Sequence, residues 1–87
     1  MKPILHIVKD TEDRRALEVI ARQAKDNAYG VAAIYIQKAV TLPAIPDVRT
    51  CALQEDLRGN PPGTGVESIS YADLLKLIFS SEAVTIW

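Results

Sequence analysis

The sequence predicts an α/β fold: a small, open, mostly parallel sheet of four to five strands flanked by helices, in a single domain over residues 1–87. Short apolar segments rich in β-branched residues alternate with helical or loop segments along the whole chain. The apolar run at residues 31–40 shows no clean alternation, which is typical of a strand covered on both faces in a parallel sheet. Together these observations favour parallel strands joined by right-handed crossovers.

The first third of the chain is predicted to form a strand and a helix. Ile4–Val8 is an apolar run interrupted by His6, and we expect it to be a buried first strand. Asp10 or Thr11 can cap the following helix, and Gly30 lies near its expected C-terminal end. Apolar residues recur on one face of this helix at the i, i+3, i+4 and i+7 spacing: Leu17, Ile20, Ala21 and Ala24.

The middle of the chain is predicted to be less regular. Residues 31–40 form the expected second strand, and Pro43 and Pro46 break the chain after it. Because proline cannot continue a regular element, the second crossover is expected to be short and irregular. A third strand is predicted at residues 48–53, followed by a polar, glycine-rich loop at residues 54–65.

The last 22 residues read as strand, turn, helix and strand. Residues 66–69 form the expected fourth strand. Ser70 then caps a helix, with Asp73 at a capping-box-like spacing. The final apolar run closes on Trp87, a large side chain that is unfavourable to expose. This segment is therefore predicted to be built into the sheet or into an interface, with Trp87 as a sheet-edge or interface residue.

Composition limits the classes of protein to consider. Of the 87 residues 48% are hydrophobic and 24% are charged, which suggests that another subunit covers part of the surface. The net charge of -1 disfavours direct nucleic-acid binding. A single cysteine excludes an internal disulfide and a cysteine-based zinc site. No targeting or membrane segment is evident, so a cytoplasmic location is expected, and no cofactor is predicted.

Cys51 and His6 are the residues that could carry chemistry. Cys51 could be a nucleophile or a persulfide carrier near the end of a strand, but free cysteine is also among the most buried residue types. His6 could be a general base, although no partner is fixed beside it by sequence spacing. Its other interpretations are a core group or an interface residue that titrates near neutral pH.

Four short motifs occur in a fixed order along the chain. They are Ile4-Leu5-His6-Ile7-Val8, Tyr35-Ile36-Gln37-Lys38-Ala39-Val40, residues 51–59 (C-A-L-Q-E-D-L-R-G), and residues 69–75 (I-S-Y-A-D-L-L) followed by Val84 and Trp87. Their order and spacing resemble the DsrH/TusB family, the small subunits of sulfur-relay complexes. The resemblance spans nearly the whole chain and includes Tyr71, which is therefore an interface candidate together with His6 and Trp87.

The resemblance implies a small α/β sheet related to the DsrE and DsrF subunits, and a hetero-oligomer with such DsrE/DsrF-like (TusC/TusD-like) partners. One form of that complex passes persulfide sulfur toward 2-thiolation of the tRNA wobble uridine, and another handles sulfur during sulfur oxidation. The chain is then expected to be an accessory subunit rather than an enzyme on its own. In isolation it could form a homo-oligomer.

The chain departs from the family pattern in two places. The position equivalent to the cysteine of sulfur-carrying members falls at about Ile20, so that thiol is absent. The Asp-Gly that usually follows the second strand is Lys38-Ala39, and residues 42–46 (L-P-A-I-P) replace a helix. Both departures favour a non-catalytic subunit. One alternative is a subunit of a DsrEFH-like complex in sulfur oxidation, with Cys51 as the sulfur carrier. The other is a homo-oligomeric scaffold or small-ligand binding module without sulfur chemistry.

Overall fold

The computed structural model describes residues 3–26 and 30–87. Five strands and their connections follow one another along these residues. In chain order the elements are β1 (Ile4–Val8), α1 (Arg14–Asp26), β2 (Val31–Tyr35), a 3₁₀ helix (Gln37–Thr41), β3 (Arg49–Leu53), α2 (Gln54–Leu57), β4 (Glu67–Ile69), α3 (Tyr71–Phe79) and β5 (Ala83–Ile86).

The five strands form one sheet in the order β4-β3-β2-β1-β5. Every neighbouring pair is parallel, and the register places His6 of β1 between Ala33 of β2 and Thr85 of β5. The predicted α/β fold with a small parallel sheet is confirmed, at five strands. The C-terminal run also forms a strand as predicted, and it pairs with the first strand rather than with β4.

The helix α1 covers one face of the sheet. Its buried residues Ala16 and Ile20 pack against a cluster that includes Val8 and Tyr35 from the strands. The cap prediction at the start of α1 was wrong: the helix begins at Arg14, and Asp13 caps it by accepting from the backbone N–H of Ala16 at 3.1 Å.

The predicted cap residue Asp10 lies in the turn before α1 instead. Its carboxylate accepts a hydrogen bond from the backbone N–H of Glu12 at 3.1 Å. The predicted stop of α1 at residues 27–30 falls mostly outside the described residues. Gly30, which is described, has a φ of +88°, the left-handed conformation expected after a helix end.

The helix α3 covers the opposite face of the sheet. Leu74 is buried there against side chains from β1, β2, β3 and β4, including Leu5, Ile34 and Ile69. Ser70 caps α3 as predicted, because its hydroxyl accepts from the backbone N–H of Asp73 at 3.2 Å. The two faces are thus held by two helices that differ in length, 13 residues in α1 and nine in α3.

The second strand is shorter than predicted. β2 ends at Tyr35, and Gln37 has a φ of +53°, which turns the chain out of the sheet into the 3₁₀ helix. The crossover that follows is short and irregular, as expected. The hydroxyl of buried Tyr35 donates to the carbonyl of Pro43 at 2.8 Å. Buried Thr50 accepts from the backbone N–H of Ile45 at 3.1 Å and so holds the far end of the crossover.

The predicted loop at residues 54–65 begins with the short helix α2. This helix ends at Leu57; its C-cap Arg58 has a φ of +52°, and Gly59 follows with a φ of +84°. Farther along, Gly63 lies directly against the backbone of Leu42, since a Cβ built on Gly63 would be 2.1 Å from that carbonyl oxygen. None of the described helices is long and apolar enough to cross a bilayer.

Candidate functional site

A groove runs along the carboxyl ends of the strands, where open parallel sheets place their binding sites. β2 and β5 flank β1 on opposite sides, so the connections of the sheet diverge beside β1. A cavity of about 750 Å³ lies there. We call it the carboxyl-edge groove. It is lined by Lys9, Asp10, Glu12, Asp13, Gln37, Lys38 and Trp87.

Trp87, which lines this groove, is hydrogen-bonded to the buried side chain of His6. The indole Nε1–H of Trp87 donates to Nδ1 of His6 at 3.1 Å, and the two rings stack with centroids 6.1 Å apart. On its other side His6 is hydrogen-bonded through Nε2 to Oε1 of Gln23 in α1. These three side chains tie β5, β1 and α1 together.

The two partners of His6 define its tautomer. An indole N–H is only a donor, so Nδ1 must offer a lone pair. The Gln23 oxygen is only an acceptor, so Nε2 must carry the proton. With the proton on Nε2, both ring nitrogens of His6 have a hydrogen-bond partner, and 3% of its surface is exposed. This arrangement argues against His6 as a general base, and any contribution of His6 to an interface would act through Trp87.

The groove carries charges of both signs. Two lysines, Lys9 and Lys38, face three carboxylates contributed by the turn before α1. None of its lining residues is a cysteine, serine or histidine. Within residues 3–26 and 30–87, no group of three or more side chains is placed to hold a metal ion. The groove can bind a polar ligand, but its described lining offers no nucleophile for covalent chemistry.

A smaller hollow continues the groove toward α2. Its volume is about 370 Å³, and it is lined by Gln37, Lys38, Asp56 and Arg58. The carboxylate of Asp56 accepts from the backbone N–H of Gln37 at 2.7 Å. Gln37 and Arg58 both have left-handed φ angles without being glycine, a conformation that costs energy and is enriched at functional sites. The Asp-Leu-Arg-Gly motif at residues 56–59 thus shapes this end of the sheet.

Cys51 lies away from the groove. It sits in the middle of β3 with no exposed surface, packed on the α3 face among Ile34 and Leu53. Burial raises the pKa of the Cys51 thiol, and the nearby carboxylate of Glu67 raises it further, against the lowering effect of Arg49. Because the thiolate is the reactive form of cysteine, this environment argues against a sulfur-carrying role for Cys51.

Tyr71 neither lines the carboxyl-edge groove nor belongs to the buried core. It is the first residue of α3 and is 52% exposed. Its neighbours one and two turns along the helix, Leu75 and Phe79, are exposed as well. The structure therefore places Tyr71 on an apolar stripe of α3 that is accessible to another molecule.

Sequence reasoning missed Gln23, Lys9 and Asp13 as members of the site. Gln23 carries no local signal, because its partner His6 is 17 residues away in sequence. Lys9 and Asp13 could have been found, since they follow directly after a predicted parallel strand whose carboxyl end faces the groove. The position of Trp87 beside them could not, because it depends on the pairing of β5 with β1.

No family model and no curated protein sequence matches this chain. Among solved structures it is similar to the ychN protein from E. coli, with a TM-score of 0.78 over 100% of both chains and 15% sequence identity. At that identity the likeness shows the fold. The class is thus a small α/β protein with a parallel five-stranded sheet and a fold like that of the ychN protein. The likeness carries no assignment to DsrH/TusB in particular.

Proposed function

We propose that this chain is a non-catalytic subunit of a sulfur-relay complex, of the type that passes persulfide sulfur for 2-thiolation of the tRNA wobble uridine. The observation that supports the proposal is a fold like that of the ychN protein in which the single cysteine of the sequence is buried inside the sheet. The proposed partners are DsrE/DsrF-like (TusC/TusD-like) subunits, and the site of action is the cytoplasm.

The chemistry of a relay explains why the subunit would be non-catalytic. Persulfide transfer requires a thiolate that an incoming sulfur donor can reach. Cys51 has no exposed surface, and the carboxyl-edge groove is lined without a thiol. The sulfur-carrying cysteines would therefore belong to the partner subunits, which this chain would hold and orient.

The alternatives differ in how well the geometry supports them. A relay with Cys51 as the carrier would require β3 to open, because the thiol packs against α3 and both neighbouring strands. A homo-oligomeric scaffold or ligand-binding module without sulfur chemistry has more support, since α3 and β5 carry exposed apolar side chains that another molecule could cover.

The direct test uses a strain deleted for this gene and complemented with variants. Mass spectrometry of bulk tRNA measures 2-thiouridine in the deletion strain and after complementation with wild type or Cys51→Ala. We expect deletion to lower 2-thiouridine and both genes to restore it. Normal thiolation in the deletion strain refutes the tRNA proposal, and failure of soluble, folded Cys51→Ala to restore it refutes the non-catalytic role.

Affinity purification of the chain from its own cells tests the proposed assembly. We expect two further subunits of the DsrE type to co-purify at fixed ratios. Recovery of the chain without any such subunit, under conditions that preserve complexes, contradicts membership of a hetero-oligomeric relay. The background control is the same purification from the same cells with the affinity resin blocked, so that proteins binding without the tagged chain are identified.

A further inference from the structure

The hydrogen bond between Trp87 and His6 restricts where the His6 ring can carry a proton. We call the indole of Trp87 docked when its Nε1–H donates to Nδ1 of His6, at 3.1 Å in the structure. An indole nitrogen donates a hydrogen bond but cannot accept one. A proton on Nδ1 would therefore set two N–H groups against each other. The docked indole and a doubly protonated His6 ring exclude each other.

The Gln23 side of the ring is not restricted in this way. Nε2 of His6 donates to Oε1 of Gln23, and Nε2 carries a proton in the doubly protonated ring as well. Protonation of Nδ1 therefore leaves the contact with α1 in place and breaks the contact with Trp87 alone.

The side chains that face His6 offer no opposite charge to a doubly protonated ring. The register places His6 between Ala33 of β2 and Thr85 of β5, and Gln23 reaches it from α1. None of these side chains ionises. The charged residues of α1 are all exposed to solvent: Arg14, Arg15, Glu18, Arg22, Lys25 and Asp26. Because a buried charge without a partner is unfavourable, uptake of a second proton favours exposure of the ring to water.

The other charged groups near Trp87 line the carboxyl-edge groove. They are Lys9, Asp10, Glu12, Asp13 and Lys38. Two of the three carboxylates already accept from backbone N–H groups around the start of α1. In the parts of the chain that the structure describes, no hydrogen bond or ion pair joins any of these five residues to His6.

Trp87 has a second attachment that does not involve His6. Its backbone N–H donates to the carbonyl of Ile7 at 2.9 Å, and the preceding residue, Ile86, is paired with Ile7 in the sheet. The indole itself is only partly buried. It can therefore leave His6 by a change of side-chain rotamer while β5 stays paired with β1.

We propose that protonation of His6 releases the Trp87 indole, so that the lining of the carboxyl-edge groove changes with pH. At neutral pH the indole is docked. As the pH falls, the released state takes up a proton that the docked state cannot hold, so the released state gains population. With a value of about pH 6.5 for an imidazole in water, the ratio of released to docked protein rises about 30-fold between pH 8 and pH 5. The proposal does not depend on sulfur chemistry.

Attraction between a protonated imidazole and the indole ring is the competing effect. It requires the cation to lie over the face of the indole, within about 6 Å of the ring centroid. The two ring centroids are 6.1 Å apart, and the indole meets His6 with its N–H group, which belongs to the positive edge of the ring. This geometry favours release of the indole over a retained cation–π contact.

Fluorescence quenching tests the proposal, because Trp87 is the single tryptophan of the chain. The experiment measures acrylamide quenching of the tryptophan emission of the purified full chain between pH 8 and pH 5, a range above that in which carboxylates ordinarily titrate. We expect the quenching constant to rise about twofold or more as the pH falls, since the released indole is accessible to acrylamide. Circular dichroism checks that the protein stays folded at each pH.

His6→Gln is the matched control. Its amide group can accept from Trp87 and donate to Gln23, but it cannot take up a proton in this range. The quenching constant of this variant should not change with pH. NMR of the wild-type protein gives a second readout: the signal of the indole Nε1–H should move with the same midpoint as the titration of the His6 ring, while the Trp87 backbone amide stays protected.

Three outcomes overturn the proposal. One is a wild-type quenching constant that stays constant between pH 8 and pH 5, whether or not His6 takes up a proton. Another is a folded His6→Gln variant whose quenching rises as it does in wild type. The third, which applies even if that variant does not fold, is an indole Nε1–H signal whose midpoint differs from that of the His6 ring.

Discussion

Gln23, His6 and Trp87 connect three elements through side chains that lie far apart in the sequence. His6 has two hydrogen-bond partners and 3% exposure, so it is a satisfied buried polar group. A buried nitrogen without a partner costs about 1–3 kcal/mol. The structure therefore gives His6 a structural role: it forms hydrogen bonds to Gln23 and Trp87 at the same time.

We expect Trp87→Phe to lower the free energy of unfolding by about 1–3 kcal/mol, because it keeps an aromatic ring but removes the donor to His6. Trp87→Ala should cost more, since it also removes apolar contact with the α1 face. Urea unfolding followed by circular dichroism measures both. Tyr71→Phe, which removes a hydroxyl from an exposed aromatic residue, is the control and should be near neutral.

The same network predicts the protonation of His6. Long-range ¹H–¹⁵N NMR should show the proton on Nε2 and a bare Nδ1 in the wild-type protein. A His6 protonated on Nδ1 near neutral pH would contradict the hydrogen bond from Trp87 and remove the basis of the Trp87→Phe prediction.

Burial of Tyr35 is expected to make the free energy of unfolding fall as the pH rises above about 10. Burial raises the pKa of Tyr35 to about 12, above the value of about 10 for an unfolded tyrosine. The folded state thus retains a proton that the unfolded state loses above about pH 10, so this contribution is complete below pH 10 and lost as the pH rises toward 12. Comparing unfolding free energies of wild type and Tyr35→Phe across this range isolates the effect. A pH-independent difference would contradict it.

At the scale of elements, local signals predicted the regular parts well. The serine cap of α3 and the strand character of Ile4–Val8 follow from residues next to one another. The start of α1 was predicted too early: the helix begins at Arg14, three residues beyond the position that a cap at Asp10 would give. Several polar residues there can cap, and the packing of Ala16 against the sheet selects Asp13.

The crossover between β2 and β3 was predicted only as irregular. Its course is decided by contacts with a loop about 20 residues later, where Gly63 meets the backbone of Leu42 and Ala44 donates to the carbonyl of Thr64 at 2.9 Å. The proline residues show that a regular helix is excluded. They do not show which segment lies against the crossover.

We expect Gly63→Ala to destabilise the protein by more than about 2 kcal/mol, because its Cβ would collide with backbone rather than with a flexible side chain. Gly59→Ala is the matched control. A Cβ at Gly59 meets nothing within 4 Å, and only its φ of +84° is unfavourable, which costs about 1 kcal/mol. Thermal and urea unfolding measure both variants, and equal losses would contradict the close contact at Gly63.

At the scale of the whole molecule, the order of strands determines how protected each one is. β1, β2 and β3 have hydrogen-bonded neighbours on both sides, whereas β4 and β5 form the edges. All four residues of β5 are exposed. The sheet therefore has three central strands, one edge at β4 that carries an ion pair, and one apolar edge at β5.

Native-state hydrogen exchange should reflect this arrangement. We expect the slowest amides in β1, β2 and β3 and faster exchange in β5, because local opening requires the fewest contacts to break at an edge. Exchange from β5 as slow as from β2 would show that the edge strand is more firmly bound than its exposure indicates.

The sequence by itself determined the alternation of strands and helices, the parallel sheet and the cap of α3, because these leave patterns among residues that are neighbours in the chain. Only the tertiary structure decided the burial of Cys51, the contact of His6 with Gln23 and Trp87, and the exposure of Tyr71 and Phe79 on α3. The contact of His6 with Trp87, for example, depends on β5 pairing with β1, which joins residues about 80 positions apart and leaves no local pattern.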